Sequence, residues 1–314
     1  MENANPVIAV IGGSGLYDIE GISDVEELCV NTPFGEPSDN IVSGRLSGSR
    51  VLFLARHGRG HRLSPAEVNY RANIFALKSL GAEWCISVSA VGSLEDKVAP
   101  GDMVIPDQLI DRTTQRPSTF FEGGLVAHVS MAEPFCPVLR HALYLSANEV
   151  ASRHGAKVHG GGIYICIEGP AFSTRAESNM YRSLGARVIG MTNLPEAKLA
   201  REAEMAYATL ALVTDYDCWK QEAGDVDVAT VIRRLETQAA EAKVIVAKTI
   251  EKLSSLSPSP IAAQALKKAF LTRFADADPK ILEKLRPLIG RYINYTANAL
   301  FLVVLQFLPG LFAA

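Results

Sequence analysis

Short apolar runs that end at glycine or at a hydroxyl recur along this chain, and stretches of helical period separate them. Residues 7–11 form a continuous β-branched run, the pattern of a strand buried on both faces. Further strands are expected at Ile41–Leu46, 51–55, 84–89, Met103–Ile105, 109–110, 160–167, 188–192 and 207–214. Helical periodicity covers 137–153, 195–205 and Val228–Leu253. Ser64-Pro65-Ala66-Glu67 carries a cap, a proline at the first helical position and a glutamate at the third, and so predicts a helix from there to about Leu80. Ser173-Thr174-Arg175-Ala176-Glu177 opens another in the same way, and 118–127 reads as a loop or flap.

The pattern changes after Ser257-Pro258-Ser259-Pro260. A linker is expected there, dividing a domain of residues 1–257 from a 258–314 extension with helices at 261–272 and 279–288. The tail, 297–314, is almost wholly apolar and near the lower length of a membrane span, but only Arg291 lies near it as a basic flank. Packing on the protein or on a neighbouring subunit is therefore preferred to membrane attachment.

Composition narrows the class. With 314 residues, 48% hydrophobic and 21% charged, a packed core is expected rather than disorder. A net charge of −3 without a Lys/Arg cluster argues against a nucleic-acid-tracking surface. The 5 cysteines contain no CxxC and sit mostly in apolar runs, which points to reduced thiols in the cytoplasm, and residues 1–6 show no secretory pattern.

The chemistry gathers at strand ends, where open α/β sheets place ligands. Gly12-Gly13-Ser14-Gly15 suits a backbone that approaches an anion, with Ser14 as a hydroxyl donor. It meets neither the dinucleotide fingerprint, whose third glycine would fall on Asp18, nor the Walker pattern, and a tight turn is the plain alternative. In Arg56-His57-Gly58-Arg59-Gly60-His61-Arg62, Arg56 can fork onto a phosphate and His57 can add a donor; a solvated basic loop is the alternative. The His57–His61 spacing is that of a metal pair, but two glycines work against a helix and no third ligand adjoins, so no metal is expected. Ser89 and Thr192 each close a strand. Asp215 and Asp217 end the 207–214 run at i and i+2, which would place both carboxylates on one face of a strand. Adjacent like charges favour a proton on one of them, giving a donor beside an acceptor, as an aminopurine requires.

Ile11-Gly12-Gly13-Ser14-Gly15-Leu16, Thr32-Pro33-Phe34-Gly35, Ala55-Arg56-His57-Gly58, Val68-Asn69-Tyr70-Arg71-Ala72-Asn73, Glu168-Gly169-Pro170, Gly190-Met191-Thr192 and Thr214-Asp215-Tyr216-Asp217-Cys218-Trp219 occur in this order. With Ser130–Pro137 they resemble the trimeric purine nucleoside phosphorylases over residues 7–253, a likeness that lapses beyond Pro258. The resemblance implies an α/β fold with a mixed, partly barrel-like central sheet flanked by helices. It implies a homotrimer that cleaves S-methyl-5′-thioadenosine with inorganic phosphate as co-substrate and no cofactor. Carried over, Ser14, Arg56, His57, Ser89 and Thr192 bind phosphate, while Ala90, Phe172, Met191, Asp215 and Asp217 line the nucleoside site. His128 reaches a neighbour's site, and Val226, Val228 and Val231 shape the methylthio pocket. Asp215 is the expected acid toward purine N7 and Asp217 the acceptor from the N6 amino group. Ser14 and Ser89 stand where threonine is frequent in the family, and both keep the hydroxyl.

Two other functions fit parts of the pattern. A 6-oxopurine enzyme on the same scaffold would favour an asparagine where this chain has a carboxylate. A purine-binding regulator would not need both the anion cradle and the acid pair.

Overall fold

The computed structural model describes residues 5–13, 19–151, 155–220 and 228–293. Its strands are β1 (Val7–Gly12), β2 (Ser23–Leu28), β3 (Ile41–Leu46), β4 (Ser49–Ala55), β5 (Trp84–Ser93), β6 (Met103–Ile105), β7 (Gln108–Arg112), β8 (Val158–Gly160), β9 (Ile163–Ile167), β10 (Ala186–Gly190) and β11 (Ala206–Asp215). The helices between and after them are α1 (Tyr70–Ser79), α2 (Pro137–Ala151), α3 (Arg175–Ser183), α4 (Asn193–Glu202), α5 (Val228–Leu253), α6 (Pro260–Ala263) and α7 (Pro279–Lys284). Residues 286–293 are also helical.

All eleven strands form one mixed sheet organised on β5. The first part of β5 pairs with β1 in parallel, and its end pairs with β10 in the antiparallel sense. On its other side β11 runs parallel along nearly its whole length. One path therefore runs β2-β3-β4-β1-β5-β10-β9-β7, and β11-β6-β8 branches from β5. The branch ends are joined by two short connections, Pro106-Asp107 and Gly161-Gly162, which bond each other: Gly161 N donates to Ile105 O (2.8 Å) and Gly162 N to Asp107 Oδ1 (2.9 Å). This contact curls the strip from β8 round to β7, which gives the sheet its barrel-like part.

β1, β5 and β11 are almost wholly buried, as their unbroken apolar runs require, and Trp84, Tyr164 and Tyr207 are among the largest side chains without solvent contact. Helices α2 and α5 pack on each other and both reach β11, whereas α1 packs on α4. β2 had no apolar signal, because nearly all its side chains are exposed at the sheet edge.

Several boundaries differ from those read in the sequence. The Ser64–Glu67 motif closes a single turn, with Ser64 N and Oγ donating to Glu67 Oε2 (3.0 and 2.6 Å). The helix itself starts at Tyr70, where Asn69 Oδ1 accepts from Ala72 N while Asn69 Nδ2 donates to Phe34 O (2.8 Å). That tertiary bond fixes the cap, so local capping chemistry at 64 does not propagate. The 160–167 run splits because Gly161 and Gly162 both take positive φ. β11 ends at Asp215, and Asp217 lies at φ 52° in a 3₁₀ turn, Asp217–Trp219, so the two carboxylates do not leave one strand face.

Toward the C-terminus, helix is confined to Pro260–Ala263 within the 261–272 stretch. Tertiary contacts take the place of the missing turns: Ala262, Leu266 and Ala269, then Leu285, Leu288 and Ile289, enter the same hydrophobic core as β1 and β5. Glu204 clamps this segment, accepting from Leu266 N (2.9 Å), Tyr292 Oη and Arg291. Pro258 thus marks a change of composition without a break in packing. The apolar tail lies outside the described residues. Among those described, no helix is long and apolar enough to cross a membrane.

Candidate active site

The carboxyl-terminal part of β5 brings two groups of side chains together. On its β10 side, Ser89 Oγ lies 3.1 Å from Thr192 Oγ1 and 3.3 Å from Tyr164 Oη. Burial pushes the Tyr164 hydroxyl up to about 12, so it stays a neutral hydrogen-bonding group. Gly190 makes this possible, since a Cβ there would fall on the Tyr164 hydroxyl.

Arg56 sits below this hydroxyl group, buried at the end of β4. Its fork does not face open space. Nε and Nη2 bond the two Glu196 oxygens (2.8 and 3.0 Å), Nη2 also bonds Ser87 Oγ (2.8 Å), and Nη1 bonds Val88 O (3.0 Å). The expected bidentate phosphate grip is thereby corrected: among the described residues, one Nη1 hydrogen is left for an anion. Burial works against the guanidinium charge, but Glu196 outweighs it and holds the pKa above its usual value. Tyr207 Oη donates to the same carboxylate (2.8 Å) and keeps it in place.

His57 also departs from expectation. Its Nδ1 lies 2.9 Å from Leu63 O, and a carbonyl only accepts, so Nδ1 carries the proton. Burial and the Arg56 charge bring the ring to about 4, so it is neutral near pH 7 and Nε2 is an acceptor rather than a donor. The ring stacks on His61 at 4.3 Å.

On the β11 side, Asp215 lies opposite Gly92 in the register. A Cβ at residue 92 would stand 2.8 Å from Asp215 Oδ1 and 3.4 Å from Asp217 Cβ, so glycine leaves room for both acids. Asp215 accepts from Thr214 Oγ1 through Oδ2 and from Asp217 N through Oδ1, each at 2.7 Å. Burial nevertheless raises its pKa above the usual carboxylate range. Burial also raises Asp217; the Ser178 hydroxyl works against this, and the Asp215 charge adds to it. Asp217 Oδ2 is buried and has no hydrogen-bond partner among the described residues. Ser89 and Gly92 are three positions apart on β5, roughly 10 Å along a strand.

Residues 7–251 match the model of the phosphorylase superfamily. The chain belongs to this superfamily. It is 54% identical to an S-methyl-5′-thioadenosine phosphorylase of Geobacter sulfurreducens over 288 residues, 91% of this chain and 99% of the relative. The similarity therefore does not lapse at Pro258. A crystal structure of a methylthioadenosine phosphorylase from an Antarctic soil metagenomic library matches with a TM-score of 0.86 at 49% identity, covering 91% of this chain and 99% of that one. A Schistosoma mansoni methylthioadenosine phosphorylase in complex with adenine matches with a TM-score of 0.75 at 36% identity, covering 80% and 93%. The large mixed sheet flanked by helices is the fold of the purine nucleoside phosphorylases in this superfamily.

Around that phosphorylase centre, Ala90 is half-buried on β5, and Met191 is half-buried with its sulfur against Gly169. Phe172 is 44% exposed on the turn after β9. Val228 is exposed and Val231 half-buried in the first turn of α5. His128 is exposed, on a segment held by the C-terminal stretch through its own amide and Ala269 O (2.8 Å). Ser14 and Val226 lie outside the described residues. Sequence reasoning did not single out Glu196 or Tyr164. Glu196 has the pattern of an ordinary first-turn acid of α4, and Tyr164 is hidden inside an apolar run.

Proposed function

We propose that this chain is a pentosyltransferase that cleaves S-methyl-5′-thioadenosine with inorganic phosphate, releasing adenine and 5-methylthioribose 1-phosphate. One observation carries the reading: a hydroxyl cradle and a pair of acids whose pKa values burial raises flank the same strand, β5, in a chain 54% identical to an S-methyl-5′-thioadenosine phosphorylase.

Phosphate arrives as an anion, so its attack on C1′ needs no general base. It needs donors, which Ser89, Thr192 and the remaining Arg56 hydrogen supply. Neutral His57 accepts a proton-bearing phosphate oxygen at Nε2. As the C1′–N9 bond breaks and the C1′–O bond forms, the sugar gains oxocarbenium character and the phosphate charge stabilises it. The purine leaves with the electron pair, and a proton from Asp215 to N7 neutralises it. Asp217 Oδ2, which has no hydrogen-bond partner among the described residues, accepts from the N6 amino group. That requirement favours 6-aminopurines over 6-oxopurines, whose C6 oxygen can only accept. Phe172, exposed on the turn after β9, would cover the base, and Val228 and Val231 would line the methylthio end.

The chain is read as a homotrimer in which His128 reaches a neighbour's site. Exposed Val126 and Leu271, apolar and adjacent to His128 through the Leu271 N–Val126 O bond, support a covered surface there. The free thiols of Cys85, Cys136 and Cys166 support a reducing, cytoplasmic setting. Free base released from methylthioadenosine, methylthioinosine, adenosine and inosine, each with and without phosphate, tests the reading. Phosphate-dependent adenine release, fastest with methylthioadenosine, is expected. Base release that ignores phosphate, or a preference for the inosines, would sink it.

A further inference from the structure

Arg116 lies on the loop between β7 and α2, within none of the motifs that carry the resemblance, and its side chain is only 2% exposed. Its guanidinium meets three separate segments. Nε bonds Glu168 Oε1 (2.8 Å), and Nη2 bonds the carbonyls of Glu168 and Ile167 at the end of β9. Nη1 bonds Met191 O and Leu194 O (both 2.7 Å) at the β10–α4 junction, and Tyr70 Oη (3.1 Å) on α1. Glu168 Oε2 returns to the same loop through Thr114 N (2.6 Å) and Gln115 N (3.2 Å).

These contacts bracket the two ends of the site. Met191 O and Leu194 O lie on either side of Thr192, whose hydroxyl faces Ser89. Glu168 starts the turn that ends in Phe172, and Gly169 on that turn packs against the Met191 sulfur. A buried carbonyl left without its donor costs about 1–3 kcal/mol, so neither segment can shift without losing partners on Arg116. Only a planar fork can serve carbonyls on two sides at once; an ammonium concentrates its donors at one point. We infer that Arg116 is a positioning residue that holds the phosphate-binding Thr192 and the base-covering Phe172 in one geometry. The inference rests on the ligand assignment proposed above, but not on turnover.

Calorimetric titration of the full chain with inorganic phosphate and, separately, with adenine tests it. Thr192→Ala should weaken phosphate alone and Phe172→Ala adenine alone. Arg116→Lys should weaken both by about tenfold, with full stoichiometry and a melting temperature within a few degrees of the parent. Loss of only one ligand, or wild-type affinities at reduced stoichiometry, would reject the inference, the latter marking a purely structural arginine. Should Arg116→Lys not fold, Glu168→Gln removes the charge paired with Arg116 and leaves one acceptor oxygen for both Nε and the Thr114 and Gln115 amides, while keeping the guanidinium. It should weaken both ligands by about threefold, and unchanged affinities there reject the inference equally. A parent that binds both ligands but releases no adenine from methylthioadenosine would refute the proposed reaction and leave Arg116's role standing. A parent that binds neither refutes both.

Discussion

Around Ser89, hydroxyl meets hydroxyl and Arg56 has its counter-ion in Glu196; around Asp217, two acids adjoin and one buried oxygen has no hydrogen-bond partner among the described residues. On the β10 side the Arg56 charge is paired within the protein and one of its hydrogens is spare. On the β11 side, under the proposed reading, a bound purine that brings an amino group would supply the missing donor. Base recognition would then draw on an electrostatic deficit, and anion recognition on hydroxyl dipoles already in place. The two ends should fail differently when altered.

The largest expected effect is at the acid. Asp215→Asn should lower kcat by roughly a hundred- to ten-thousand-fold with KM changed only a few-fold, read from adenine release at saturating substrates. Near-normal turnover would remove Asp215 from that role. Next is a contrast in stability between the two ends. Glu196→Gln removes the carboxylate that neutralises Arg56 and should cost about 3 kcal/mol in urea unfolding. Asp217→Asn removes a charge that burial disfavours and should leave stability equal or higher while activity falls. Equal losses in the two variants would erase the contrast.

The smallest effect is a pair of opposing pH slopes. Asp215 and Asp217 hold protons more tightly folded than unfolded. Their contribution is complete below the ordinary value of 3.8 and is lost as pH rises through the raised folded values. His57 runs the other way: folded at about 4 against an ordinary 6.5, its contribution is complete above 6.5 and lost as pH falls toward about 4. Unfolding free energies followed across this range should show His57→Asn softening the acid loss and Asp217→Asn softening the loss on raising pH. Shifts of the same sign in both would contradict the assignment.

The strands that carry the site were legible because each is an apolar run ended by glycine or a hydroxyl. Ser89, Thr192 and Asp215 were singled out as candidates by that punctuation. What escaped depends on partners distant in sequence. Glu196 matters through Arg56, 140 positions away, and Arg116 through carbonyls 51 to 78 positions away. Backbone carbonyls carry no side-chain signature, so such contacts leave no trace in residue type. The direction of the His57 hydrogen bond escaped for the same reason, since its Nδ1 proton is committed to the Leu63 carbonyl. The helix expected from Ser64 was lost to a bond between Asn69 and Phe34, another long-range partner. At the C-terminus, apolar spacing read as one helix across 261–272 in fact reflects burial of Leu266 and Ala269 beneath the core.

β5 has a different neighbour on each flank, β10 toward the hydroxyls and β11 toward the acids. On the proposed reading, selection acting on the far end of β11 would exchange one heterocycle preference for another while the capture of the attacking oxyanion stays intact. A scaffold divided in this way is open to stepwise diversification, because a lineage changing its diet of nucleosides need not pass through a form that has lost its co-substrate.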